Sequence, residues 1–148
     1  MKFVVAVDGS PESERALDHA VEMATAAGAS LTVAYSVDPD VYDTGGTEPI
    51  TDVADAERRL VMESVEDAEE RGAEILADAS AQVPDSVACD TELLYGDPVE
   101  TVPEFAATEG YDGVFVGHRG LTEAQERVLG SVAKGIVERA TVPVTVVR

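Results

Sequence analysis

The run "FVVAV", Phe3 to Val7, has no polar break and is rich in β-branched side chains. A strand with one wet face alternates apolar and polar residues, whereas a parallel strand covered on both faces reads as a continuous apolar run. This run is therefore expected to be a buried parallel strand, and "DGVFVG" (112–117) another. Parallel strands need helical crossovers, so two such runs push the chain toward an α/β architecture.

The segments between them fit. Ser10 and Pro11 read as N-cap and first helical residue, after which Leu17, Ala20, Val21 and Ala24 share one helical face until Gly28 stops it. "SLTVAYSV" (30–37) is a second strand, and the prolines and paired glycines of "DPDVYDTGGTEP" (38–49) mark a loop expected to be mobile. From about Thr51 a helix is expected, with Val61, Val65, Ala68, Gly72, Ile75 and Ala79 on one stripe until Pro84. "VACDTELLY" (87–95) mixes apolar and charged positions and suits an edge strand.

A third helix over 96–110 takes Asp97 as cap and Pro98 as first residue, and Pro103 within it is expected to kink or delay it. Residues 131–140 read as a helix with Val132, Ile136, Val137 and Ala140 facing inward. "VPVTVV" (Val142 to Val147) is a last strand, placed at an edge by Pro143. The expectation is one domain over residues 1–148: a three-layer α/β/α open sheet of five parallel strands, order 3-2-1-4-5. That order reverses between strands 1 and 4 and opens a crevice at their carboxyl ends, where Asp8, Gly9 and Ser10 would meet Gly117 to Gly120.

Charge narrows the partners. Thirty acidic against ten basic residues give a net charge of −20, and only Lys2 and Lys134 among the basic residues are lysines. A 45% hydrophobic content argues against disorder, and scattered acids argue against an acidic tail, leaving a surface suited to high salt. In molar salt the screening length falls to about 3 Å, which removes most self-repulsion. Such a surface disfavours nucleic acid and anionic membranes as partners. No apolar run is long enough for a membrane span, and "MKFVVAVDGS" turns polar too soon for a signal peptide, so a cytoplasmic location is expected. Cys89 is the single cysteine and reads as a small buried filler.

Glycines at 117, 120 and 130 punctuate "VFVGHRGLTEAQERVLGSVAKGIV". Bare backbone leaving a buried strand can approach a ligand that a Cβ would hold away. Gly130 and Ser131 precede a helix, so the N–H groups of Ser131 and Val132 and the Ser131 hydroxyl could face a phosphate. The alternative is that Gly117 and Gly120 only turn the chain and Gly130 only relaxes the start of the helix; spacing alone does not choose. Neither GK[ST] nor a GxGxxG after the first strand is present.

GxxG, nine residues, then G[ST] resembles the pattern of the ATP-binding branch of the universal stress protein family, matched by Gly117, Gly120, Gly130 and Ser131. "VVAVDGSPESERAL", "YGDP" and "GSVAKGIVERATVPVTVV" are similar to that family's opening, its turn before the third helix and its ending. The resemblance implies an adenine nucleotide alpha hydrolase-like fold that binds ATP, or AMP or ADP. By position, Asp8 and the backbone near Ser36 would hold the adenine and ribose end, Gly117 would lie near the ribose, and Gly120, Gly130, Ser131 and Val132 would meet the phosphates. His118 and Arg119 stand where the family varies. It further implies a homodimer paired through the strand Val142 to Val147, acting as a stress sensor or regulator.

Arg119 and Arg127, scarce cations near the glycines, are expected to pair with phosphate. His118 near Ser10 and Asp8 invites a triad, but no GxSxG elbow supports one. No group to position water for hydrolysis stands out beyond Asp8 and His118, so no catalytic residue is assigned and turnover is expected to be slow at most. Mg²⁺ or Mn²⁺ could accompany the phosphates, with no all-protein metal cage visible.

Overall fold

The structure is a computed structural model that describes residues 1–38, 54–119 and 128–148, with residues 54–64 described as backbone alone. Five strands alternate with four helices: β1 (Lys2–Ala6), α1 (Pro11–Ala27), β2 (Ser30–Val37), α2 (Ala54–Gln82), β3 (Cys89–Tyr95), α3 (Pro98–Thr108), β4 (Gly113–Gly117), α4 (Ser131–Arg139) and β5 (Val144–Val147). The strands form one parallel sheet in the order β3-β2-β1-β4-β5. In register, Ala6 of β1 lies beside Ala34 of β2 on one side and Val116 of β4 on the other.

The continuous apolar runs are buried as their composition requires. Val4, Val5 and Val114 are fully buried because the sheet is covered on both faces. On one face Phe3, Val5 and Phe115 pack with Leu17 and Ala20 of α1 and Leu76 and Ala79 of α2. On the other, Val4, Val114 and Val116 pack with Val102 and Ala106 of α3 and Ala133 and Ile136 of α4. Two apolar layers sandwich the sheet.

The ends of α1 follow their signals. The Ser10 hydroxyl accepts the Ser13 N–H, Pro11 opens the helix, and Gly28 closes it in a left-handed conformation at φ 64°. Two details differ from expectation. α3 starts at Pro98 and continues past Pro103, which is buried in its sixth position and does not delay the helix; burial of the apolar ring offsets the missing backbone bond. On α4 it is Ala133 that turns inward with Ile136, while Val132 and Val137 are 37% and 47% exposed. The helix start at Ser131 sets that phase, and a small residue lets α4 approach α3, where a Cβ on Gly135 would fall 2.5 Å from Val99. His19 is half-buried, with its ring edge-on to Phe115 at 5.9 Å.

The loop at 39–50, Val61, Gly120 and Arg127 lie outside the residues whose side chains are described. Among the described residues, no helix is long and apolar enough to cross a membrane.

Candidate functional site

Every strand points its carboxyl end to the same edge of the sheet, and the order reverses between β1 and β4. Crossovers leave those two strand ends in opposite directions, which opens a space above them. A cavity of about 410 Å³ lies there, within the roughly 300–1,000 Å³ usual for small-molecule sites.

Four segments build it. The first is the turn after β1, where a ring of hydrogen bonds sets Asp8. Its carboxylate accepts the Ser10 N–H at 2.9 Å, and the Ser13 hydroxyl accepts the Asp8 N–H at 3.3 Å while donating to the Ser10 carbonyl at 2.9 Å. Gly9 makes that turn possible at φ 81°, a conformation costly for other residues. The sequence "DGSPES" thus encodes both a helix cap and the aim of one carboxylate.

The second segment is the end of β4. A Cβ on Gly117 would lie 2.8 Å from the carbonyl carbon and oxygen of Glu12 and 3.0 Å from the Ser13 nitrogen. Glycine here lets the first turn of α1 sit directly against β4, which brings Asp8 and Ser13 to the same cavity as Gly117. Beyond it, the His118 N–H donates to the Val147 carbonyl at 2.7 Å and the His118 carbonyl accepts the Gly130 N–H at 2.8 Å. One residue's main chain therefore ties the ends of β4 and β5 to the start of α4.

That start is the third segment. Gly130 caps α4 in an extended conformation without a side chain, and Gly130, Ser131, Val132 and Ala133 line the cavity. The positive end of a helix faces the space with no capping side chain from position 130, the arrangement that suits an anion. The fourth segment is the turn from β3 to α3, where Asp97 accepts the Val99 N–H at 2.9 Å and lines the cavity with Pro98. The hydroxyl of Ser36, on β2, lies 3.2 Å from the Thr101 hydroxyl on α3, which joins this turn to β2.

Of the residues expected from the sequence, Asp8, Ser36, Gly117, Arg119, Gly130, Ser131 and Val132 converge on the cavity. Gly9, Ser10 and His118 do not line it. Gly9 faces a smaller space between α1 and α2, Ser10 is wholly buried as the cap of α1, and His118 is 8% exposed and acts through its main chain. Gly120 lies outside the described residues. The sequence reading missed Ser13, Tyr35, Asp38, Asp97 and Pro98, which also line the cavity. Asp97 was legible as a cap; since β3 ends at the same edge as β1, its turn had to come near.

Among the described residues lining the cavity, Arg119 is the cationic one, and Asp8, Asp38 and Asp97 are the carboxylates. Its guanidinium lies 3.7 Å from the Glu12 carboxylate, with both side chains largely buried. Lys134 is exposed and 4.0 Å from Glu138, apart from the cavity lining. Among the described residues, no group of three or more histidine, cysteine, aspartate or glutamate side chains is arranged to hold a metal ion.

Comparison with known proteins agrees with this architecture. The universal stress protein YxiE of Bacillus subtilis is 29% identical over 148 residues, covering 99% of this chain and 98% of that protein. The structure of UspA from Lactobacillus plantarum superposes with a TM-score of 0.74 at 23% identity, covering 100% of this chain and 97% of that one. A universal stress protein from Archaeoglobus fulgidus, solved in complex with dAMP, superposes with a TM-score of 0.65 at 24% identity, covering 100% and 98%. The family model of universal stress proteins matches residues 1–148. With its reversed sheet and the glycines at both lips of the crevice, the chain belongs to the universal stress protein family.

Proposed function

We propose that this protein binds an adenine nucleotide, ATP foremost, in the crevice above β1 and β4, and works as a cytoplasmic, homodimeric sensor or regulator of the stress response with slow or no hydrolysis. The observation that carries the reading is the cavity itself, which gathers Gly117 with the glycine-capped start of α4 at Gly130, Ser131 and Val132. Bare backbone at one lip and a positive helix end at the other form a clasp for a phosphorylated ligand. A family relative of the same fold has been solved with dAMP, which favours an adenine nucleotide as the occupant.

Three carboxylates against one guanidinium make the cavity a poor host for a bare triphosphate. A divalent ion such as Mg²⁺ or Mn²⁺ would therefore arrive on the phosphates, adding charge neutralisation to that of Arg119. Dimerisation through β5 has physical support: β5 is an edge strand, and Val128, Leu129, Val132 and Val137 are exposed apolar residues around α4. The net charge of −20 supports function in concentrated salt.

The test is calorimetric titration of ATP and AMP into the folded protein in molar KCl, alongside Gly130→Val. Binding by the parent, weakened at least about tenfold in the variant, supports the reading. A folded parent that takes up neither nucleotide sinks it and leaves a family dimer that works through protein contacts.

A further inference from the structure

Glu12 stands behind the cavity in an arrangement that nucleotide binding by itself does not explain. Its Oε1 lies 3.7 Å from Nη2 of Arg119 and 3.4 Å from Nη2 of Arg15. Two of only ten basic residues in a chain of net charge −20 thus converge on one carboxylate oxygen. Arg119 lines the cavity and Glu12 does not, so the carboxylate lies outside the ring of residues that a ligand would touch. Both side chains are largely withdrawn from water, at 13% and 15% exposure, whereas Arg15 is 52% exposed. Screening is weakest where both partners are buried, so the Arg119 pair is the firmer of the two.

The backbone brings the two side chains within reach of each other. The Glu12 carbonyl is the group that a Cβ on Gly117 would strike, so the first turn of α1 is fixed against β4 just two residues before Arg119. Anchoring at Gly117 and at Arg119 holds Glu12 to β4 through main chain and side chain together. A guanidinium is a planar fork of donors, and a carboxylate on one limb fixes the plane of the rest.

We propose that Glu12 is a positioning residue that orients Arg119 toward the anionic part of the ligand, so that the Glu12–Arg119 pair sets how strongly the site prefers phosphorylated over unphosphorylated adenine compounds. This rests on nucleotide binding in the crevice and adds to it the source of selectivity for the anion. Arg119 supplies the charge; Glu12 touches no ligand and acts only through Arg119.

The test measures ATP and adenosine affinities at one fixed KCl concentration for the parent, Arg119→Ala, Glu12→Ala, Glu12→Gln and the double alanine variant. Arg119→Ala should weaken ATP about tenfold or more while changing adenosine less than about twofold, as expected for loss of one charge-assisted contact. Glu12→Ala should show the same selective loss at smaller size, Glu12→Gln should restore part of it by keeping the acceptor, and the double variant should be no worse than Arg119→Ala. A cooperative thermal melt followed by circular dichroism serves as the check that each variant is folded. Equal losses for ATP and adenosine in Glu12→Ala, an unchanged ATP affinity, or additive losses in the double variant would overturn the role of Glu12 while leaving nucleotide binding intact. A parent that binds neither compound overturns both.

Discussion

Alanine at the two ends of β4 makes a matched pair of perturbations. At Gly117 the added Cβ would lie 2.8 Å from the Glu12 carbonyl carbon and oxygen and 3.0 Å from the Ser13 nitrogen, all main-chain atoms that move only if α1 moves. At Gly113 the nearest atom is Cδ1 of the Phe3 ring at 3.4 Å, followed by Cε1 at 3.6 Å. Neither glycine has a positive φ, so alanine is conformationally acceptable at both. The unfolded chain loses the same entropy in each case, which favours the folded variant by about 0.4–1 kcal/mol. Overpacking costs about 1–3 kcal/mol and applies at Gly117 only. The difference leaves Gly117→Ala destabilised by up to about 2.6 kcal/mol, with a midpoint of about 1.3, and Gly113→Ala about 0.4–1 kcal/mol more stable, so the two variants differ by the overpacking cost of about 1–3 kcal/mol. For a domain of this size each kcal/mol moves Tm by about 2–4 °C, so Gly117→Ala should melt about 2–12 °C below Gly113→Ala. Urea titration and thermal melting in molar KCl measure both. Equal stability of the two variants would refute the claim that Gly117 exists to let α1 sit against β4.

Other consequences follow from single interactions. Ser10→Ala removes the buried cap of α1 and leaves the Ser13 N–H without its acceptor, and should cost about 1–2 kcal/mol by urea titration; a loss below about 0.3 would contradict the cap. Tyr111→Phe deletes the buried hydroxyl bond to Thr32 at 2.8 Å and should cost about 1 kcal/mol in the same assay, with no change in ATP affinity. Burial, and secondarily the charge of Asp90, push the Cys89 thiol up, so thiolate is scarce at neutral pH. Iodoacetamide labelling of the folded protein should keep accelerating past the ordinary thiol range of about 8.5, and a plateau below it would contradict the shift.

The architecture was legible because one device repeats: an unbroken apolar run with no alternation marks a strand covered on both faces, and Pro11 and Pro98 each follow a polar cap. From these the strand order and the position of the crevice follow by the handedness of crossovers. Side-chain phase was less legible. Val132 and Ala133 both suit an inward position by composition, and only the packing of α4 on α3 chooses alanine. Pro103 misled because helix propensity reflects the lost backbone bond and is blind to the burial of the ring in the core. In the site, Gly117 and Gly130 announced themselves by spacing, but the reason for Gly117 was hidden: it answers the main chain of Glu12, more than a hundred residues away in sequence. Ser10 and His118 were drawn toward the ligand by their neighbours in sequence, whereas the structure uses one as a cap and the other as a main-chain bridge. The Glu12–Arg119 pair left no local signal, because nothing in the sequence around either residue points to the other.

A nucleotide held between the end of β4 and the start of α4 would perturb the backbone amide NMR spectrum during titration with ATP and Mg²⁺ in molar KCl. Saturable shifts should be largest at Gly117 and at Gly130 to Ala133, smaller at Asp8 and Ser36, and near zero along the α1–α2 face around Leu76 and Ala79. A saturating titration whose shifts fall elsewhere, or a folded spectrum that ATP leaves unchanged, would contradict this placement.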